Sequence, residues 1–486
     1  MPGATPDAIA NCGSRTVAQP PTFIKAVPMQ RMRIFFLPLC VAACLLCACA
    51  GRDVPTRDGS LPSWMQTPRD LRAFPQDLEV YAREAGSERR LVDDQTQEAM
   101  NAAFDRIFFG PWDMTKTSIR RRDVAVFFRK SRGFRADGSR WSQPEWDALA
   151  QNARLSAFPS RATQAITLRA TDLRELPTHE ARFSEPTPDP KANPFDYFQY
   201  SLLPSGTPLL IAHTTQDGRW HYVECPVAGG WVDAADVAPV DADFKRLWRG
   251  GRHAALVRDK VSLPGGPDAP AASGALAGIG TVLPLARVRA DGGCDVLVPY
   301  RGPTGMADSA EVPLAPGVAV PKPLALTPGN VARVGNVMMG QPYGWGGMLG
   351  ERDCSALTRD LFTPFGVWLP RNSVAQARRG VVLPLEGLSA REKEARVLAD
   401  GVPFLSLVGM GGHIMLYVGA WKGRPAIFHN VWGVRVVEDG NDNARCVIGR
   451  AVVTSLTPGS ELKNLYLPVT FVDRIRTLTT PAGPRP

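Results

Sequence analysis

A cysteine directly behind a helix-capping aspartate, Asp353-Cys354-Ser355, constrains this chain more than any other feature of its sequence. Leu357, Leu361, Phe362 and Phe365 follow at helical spacing, which predicts an amphipathic helix with Asp353 at its N-cap. Cys354 then falls in the first turn. Unpaired backbone N–H groups and the helix dipole favour negative charge there, and so favour the thiolate, the reactive form of cysteine. Pro364 and Gly366 end the helix. Ahead of it, a helix expected over 330–339 stops at Gly340-Gln341-Pro342. The loop Tyr343-Gly344-Trp345-Gly346-Gly347 then carries two aromatics among glycines.

Two histidines complete the arrangement. Gly411-Gly412-His413-Ile414-Met415-Leu416-Tyr417-Val418-Gly419 reads as a strand starting at His413. Alternation puts His413, Met415 and Tyr417 on one face and Ile414, Leu416 and Val418 on the other. A turn over 421–425 leads to the return strand Ala426-Ile427-Phe428-His429-Asn430-Val431. In an antiparallel pair the two imidazoles can meet across the ladder. One would take the thiol proton and the other would hold the first in its working tautomer. Cysteine, two histidines and Asp353 are also a donor set for zinc, but the tight ligand pairs usual at zinc sites are missing.

The remainder divides by texture. Lys25, Arg31 and Arg33 precede an apolar run from Ile34 to Cys47, the length of a signal-peptide core and short for a bilayer span. It ends at Leu46-Cys47-Ala48-Cys49, which is similar to a bacterial lipobox with Cys49 as the lipidated residue and Cys44 as a second candidate. Translation from Met29 or Met32 would make that segment N-terminal. Residues 50–160 hold helical stretches near 95–109 and 143–155. With Gly 45 and Pro 44, the chain favours short strands and many turns beyond that point. Thr207 to Ala212, then Trp220 to Cys225 behind the Asp217-Gly218 turn, and Gly229-Gly230-Trp231-Val232 are strands. They are similar to bacterial SH3-like barrels, here over 161–240, and a second, degenerate barrel is expected over 241–320. Pro321-Lys322-Pro323 links to the chemistry-bearing part, 321–486. Cys225, Cys294, Cys354 and Cys446 lack the spacing of a disulfide scaffold. The net charge of +9 suits an anionic partner such as a wall polymer or membrane face. No basic stripe interleaves with aromatics, which argues against nucleic acid.

Taken together, GQPYGWGG, DCSALTRDLF, LPRNSVAQ, GGHIMLYVG and FHN resemble the NlpC-type cysteine peptidases, a papain-like family of wall-peptide hydrolases. The layout resembles the multidomain branch of that family. The resemblance implies a mostly helical N-terminal stabilising domain, two small all-β SH3-like barrels and an α+β papain-like peptidase domain. It implies Cys354 as nucleophile, His413 as base, His429 as the third polar residue, and Tyr343 helping the Cys354 N–H form an oxyanion hole. It further implies cleavage of the γ-D-glutamyl–diamino acid bond of peptidoglycan stem peptides. Asp353 and Ser355 would bind the free amine of an N-terminal L-alanine, and a barrel aromatic, Trp220 or Tyr222, would help close the site. No metal or organic cofactor is required. The expected protein is monomeric and exported, held to the envelope by its N-terminal lipid, with the outer membrane favoured. Two rivals share these features: a non-catalytic wall-binding lipoprotein with a decayed peptidase domain, and an amidase or acyltransferase on the same fold. The segment 380–400 is expected to be an inserted lid or a surface loop.

Overall fold

Capping residues written into the sequence begin the helices that matter for the site. In the computed structural model, which describes residues 66–129, 132–186, 193–263 and 276–481, Asp353 caps the helix over Cys354–Phe362 by accepting from the Ala356 N–H. Thr327, with Pro328 at the first helical position, opens Pro328–Met338 in the same way. Ser142 with Glu145 and Ser389 with Glu392 form capping boxes at Gln143–Ala153 and Ala390–Asp400. In chain order the helices are α1 Asp70–Ala73, α2 Leu78–Ala85, α3 Asp94–Phe108, α4 Arg121–Ala125, α5 Gln143–Ala153, α6 Ala242–Arg249, α7 Pro328–Met338, α8 Cys354–Phe362, α9 Ser373–Gln376 and α10 Ala390–Asp400.

Three main antiparallel sheets carry the rest. The first, the strongly bent sheet of the SH3-like barrel, has β1 Thr163–Thr167, β2 Thr171–Arg174, β3 Gln199–Leu203, β4 Pro208–Thr214, β5 Trp220–Glu224, β6 Gly229–Asp233 and β7 Val237–Pro239, in the order β3-β2-β6-β5-β4-β1-β7. The second has β8 His253–Leu256, β11 Val282–Val288, β12 Cys294–Arg301, β13 Ala307–Leu314 and β14 Ala319–Lys322, in the order β13-β12-β11-β8-β14; β9 Val261–Ser262 and β10 Leu276–Ala277 form a small separate ladder. The C-terminal sheet runs β15-β20-β16-β17-β18-β19. Its strands are β15 Val381–Pro384, β16 Leu407–Met410, β17 His413–Trp421, β18 Arg424–Glu438, β19 Asn441–Thr454 and β20 Ile475–Thr480. The segment 380–400 is therefore an edge strand and α10, neither a lid nor a loop.

Both faces of the C-terminal sheet are buried, as alternation along β17 requires. Ile414, Leu416 and Val418 pack with Leu357 and Leu361 of α8 and with Val331 and Val334 of α7. Met415 and Tyr417 pack on the other side with Ile427 and with Val397 of α10. The N-terminal helices lend their apolar faces to the other parts. Leu78, Tyr81 and Ala82 join the α7–α8 core, Phe104 and Phe108 join the second sheet, and Val124 and Ala153 pack on Trp220, Tyr222 and Trp231 of the barrel. A region that shares its apolar surface with three neighbours clamps them together.

The glycine loop docks on the barrel. Gly346 and Gly347 take φ of 63° and 92°, a region open chiefly to glycine, and a Cβ on Gly347 would lie 2.5 Å from Leu202 Cβ. Gly350 also has positive φ, 75°, but a Cβ there would meet nothing within 4 Å. Gly350→Ala should thus cost only backbone strain, about 1 kcal/mol, while Gly347→Ala adds overpacking of about 1–3 kcal/mol. Thermal unfolding checks this: a loss for Gly347→Ala no larger than for Gly350→Ala would show that the loop does not hold this docking.

Candidate active site

Helix α8 points its first turn at the start of β17. The Ile414 N–H lies near enough to the Cys354 sulfur to favour its thiolate, which puts the sulfur at the start of β17, next in the chain to His413. The β17–β18 ladder pairs Leu416 with Phe428, which brings His429 toward His413. His413 Nε2 and His429 Nδ1 lie 2.8 Å apart, and His429 Nε2 lies 3.0 Å from Thr454 Oγ1 at the end of β19.

These contacts fix the protons. Thr454 Oγ1 also lies 2.8 Å from the carbonyl of Ser455. A carbonyl only accepts, so the single hydroxyl proton of Thr454 goes there. Thr454 must then accept from His429 Nε2–H. That leaves His429 Nδ1 bare, and it accepts from His413 Nε2–H. The tautomer of His413 is set, and its Nδ1 lone pair is the one free to take a proton. Phe471 covers both rings edge-on, with centroids 5.8 and 5.9 Å away. Among the described residues no group of three or more His, Cys, Asp and Glu side chains is arranged for a metal ion, and the ring nitrogens facing each other and Thr454 are already engaged.

Burial governs the charge state. It lowers His413 to about 3, with the Arg474 charge acting the same way and Asp353 opposing. Burial, then the charge of His413, keeps His429 well below its usual range. The Cys354 thiol is pushed up to about 12 by burial and by the Asp353 carboxylate, against the Ile414 N–H, Arg371 and the Ser355 N–H. Burial and the Asp353 carboxylate thus oppose the thiolate that the helix terminus favours, and burial opposes the imidazolium. Desolvation and a neighbouring carboxylate outweigh the helix terminus.

Asp353 and Ser355 are held in a network of their own. Burial raises the Asp353 pKa, but Arg371 and the donors around it more than offset this and hold the carboxyl below its usual range. Arg371 grips it bidentately at 3.1 and 2.6 Å, and it also accepts from Ala356 N, Gly346 N and Ser355 Oγ. Five donors share its roughly four lone-pair sites. Ser355 Oγ is itself held by Arg371 at 2.9 Å. The two residues anchor the nucleophile's helix.

A cleft of about 500 Å³ opens at His413. Tyr343, Trp345, Trp432 and Phe195 form one wall, with Phe195 5.3 Å from Trp345 and 6.1 Å from both Tyr343 and Trp432. Burial, followed by the charges of Cys354 and Asp353, raises the Tyr343 hydroxyl well above its usual range. Neither Trp220 nor Tyr222 lines this cleft. Tyr222 packs inside the barrel on Phe158 and Trp231, and Trp220 lies against His179. The aromatic that reaches the cleft from the barrel side is Phe195, just before β3. Thr454, Arg371, Phe195 and Phe471 were not singled out by sequence reasoning; only Arg371 lies inside a quoted motif, LPRNSVAQ. The cysteines at 225, 294, 354 and 446 are all free. The lipobox, with Cys49 and Cys44, lies outside the described residues, and among those described no helix is long and apolar enough to cross a membrane.

The fold and the site define the class: a papain-like α+β domain with a thiol at a helix start and a histidine pair on the adjoining sheet, behind an SH3-like domain and a helical N-terminal region. Residues 340–440 match the NlpC/P60 family, residues 38–158 its N-terminal stabilising domain, and residues 182–233 an SH3 domain of the SH3b1 type. The chain therefore carries an NlpC/P60 domain behind that family's stabilising domain and an SH3-like domain. An NlpC/P60 endopeptidase from Photobacterium damselae subsp. piscicida shares the fold, with a TM-score of 0.74 at 23% identity over 85% of this chain and 98% of that one. Two relatives are named gamma-D-glutamyl-L-lysine dipeptidyl-peptidase. That of Bacillus cereus is 30% identical over 103 residues, 21% of this chain and 28% of the relative. That of Bacillus subtilis is 32% identical over 96 residues, 19% of this chain and 30% of the relative. The chain thus spans under a third of the length of these relatives.

A neutral resting thiol has a kinetic signature. Alkylation of Cys354 by iodoacetamide, followed by peptide mass mapping, should speed up about tenfold per pH unit from pH 6 to 10, because the thiolate fraction rises toward a pKa of about 12. A rate that is flat across neutral pH would indicate a preformed thiolate–imidazolium pair instead.

Proposed function

We propose that this protein is a cell-wall cysteine endopeptidase that hydrolyses the γ-D-glutamyl–diamino acid bond of peptidoglycan stem peptides. The observation that carries the reading is the Ser455–Thr454–His429–His413 hydrogen-bond chain, which leaves His413 Nδ1 as a base beside Cys354. The family and the partial match to two γ-D-glutamyl peptidases support the bond class.

In this mechanism His413 Nδ1 takes the thiol proton as Cys354 attacks the γ-carbonyl of D-glutamate. The oxyanion is met by the Cys354 N–H and the Tyr343 hydroxyl. His413, now cationic, gives its proton to the departing amine, and the thioester forms. Water then attacks the thioester with the same nitrogen as base. Imidazolium is costly in this buried site, so it forms only while the oxyanion is present to balance it. His429 holds the ring, and Thr454 holds His429. Basic charge and lipidation at Cys49 would keep the enzyme at the envelope, next to its polymer.

Mass spectrometry of muropeptides tests the reading. The wild-type chain should release the L-alanyl-D-glutamate dipeptide, and Cys354→Ala should lower turnover by 10³-fold or more at unchanged thermal stability. Undiminished cleavage by Cys354→Ala would exclude the thiol as nucleophile.

A further inference from the structure

Beside the aromatics the cleft is lined by cations, with no anion among its described lining residues. Arg435 and Arg445 stand directly across from each other on the β18–β19 ladder and both line the cleft, joined by Arg474 from the turn before β20. Like charges directly opposite in a ladder destabilise it. Burial and the charges of its arginine neighbours hold each of Arg445 and Arg474 below the ordinary guanidinium range. Arg435 has a carboxylate partner, the exposed Asp442 at 3.2 Å, and stacks 3.7 Å over Tyr466. The other two donate only to carbonyls: Arg445 to Asn443 and Ala444, at 2.8 and 3.1 Å, and Arg474 to Gly411, at 2.5 Å. Among the described residues no Asp or Glu lines the cleft and none forms an ion pair with Arg445 or Arg474.

The position of this cluster gives it a partner. His413 must hand its proton to the leaving nitrogen, so that nitrogen sits at His413. The residue it belongs to then extends into the cleft that His413 shares with the three arginines. We propose that Arg445 and Arg474, backed by Arg435, form a carboxylate-reading subsite for the leaving diamino acid. The subsite selects a diamino acid with a carboxylate on its side chain, of the diaminopimelate type, over lysine. A side-chain carboxylate would bridge the guanidiniums, relieve the cross-strand repulsion and balance the ammonium that both diamino acids carry, whereas lysine brings that ammonium alone and adds a like charge to the cluster. The proposal rests on the reading of Cys354 and His413 as the hydrolytic pair.

Kinetics of the full chain on L-alanyl-γ-D-glutamyl-diaminopimelate and on its lysine counterpart test it. The first should have a kcat/KM at least about tenfold higher, and amidating its side-chain carboxylate should remove that advantage. Arg445→Gln and Arg474→Gln, each alone, should bring the ratio between the two peptides toward one. Equal rates on the two peptides, or equal losses on both in the arginine variants, would overturn the proposal. So would a loss caused only by amidating the main-chain carboxylate, which would assign the arginines to the end of the stem. If the wild-type chain cuts neither peptide, the hydrolase reading fails, and calorimetry with Cys354→Ala decides the subsite separately. Tighter binding of the diaminopimelate peptide, lost on adding Arg474→Gln, sustains the subsite; equal binding, or none, ends it.

Discussion

A hydroxyl has one proton to give, and Thr454 gives it to the carbonyl of Ser455. Everything chemical in the site follows from that direction. His429 must donate toward Thr454, His413 must donate toward His429, and the lone pair on His413 Nδ1 is left free. A carboxylate in the place of His429 would fix the same tautomer by charge. Here the chain is neutral throughout, which fits a site where burial disfavours every charged form. Catalysis then has to create charge only as the acyl bond forms.

The sulfur is held in place by a second set of interactions, remote from the imidazoles. Asp353 caps α8 and is saturated by Arg371, Gly346 and Ser355. Arg371 and Arg359 both reach Ser201 on the barrel, and Arg352 joins Asp360 of α8 to Asp259 beyond β8. A buried ion pair of this kind adds little net stability as a whole, but removing one partner strands a charge at a cost of about 3–5 kcal/mol. The network therefore acts as a registry device. It ties the orientation of the nucleophile's helix to both β domains, while the N-terminal helices clamp the same parts through shared apolar cores.

What could be read in the sequence was local. The α8 cap, the helical spacing behind Cys354, and the period-two strands bearing His413 and His429 are set by neighbours a few residues away, and the structure places them accordingly. What could not be read was tertiary. Asp353 and Ser355 have Arg371 as a partner, which only folding brings in. Trp220 and Tyr222 read as cleft aromatics because they sit on a recognisable strand, but the strand's own barrel consumes them, and Phe195 reaches the cleft instead. Thr454 stands 25 residues beyond His429 on a separate strand, and no periodicity marks it. A helix terminus behind Cys354 can be seen in sequence, but the burial that opposes it cannot.

Nitrogen-15 spectra of the histidine-labelled protein at neutral pH examine the proton inventory most directly. His413 should show a bare, pyridine-type Nδ1 and a protonated Nε2, and should keep them well below pH 6.5, in line with its depressed pKa. Two protonated nitrogens on His413 at neutral pH, or the opposite tautomer, would contradict the account.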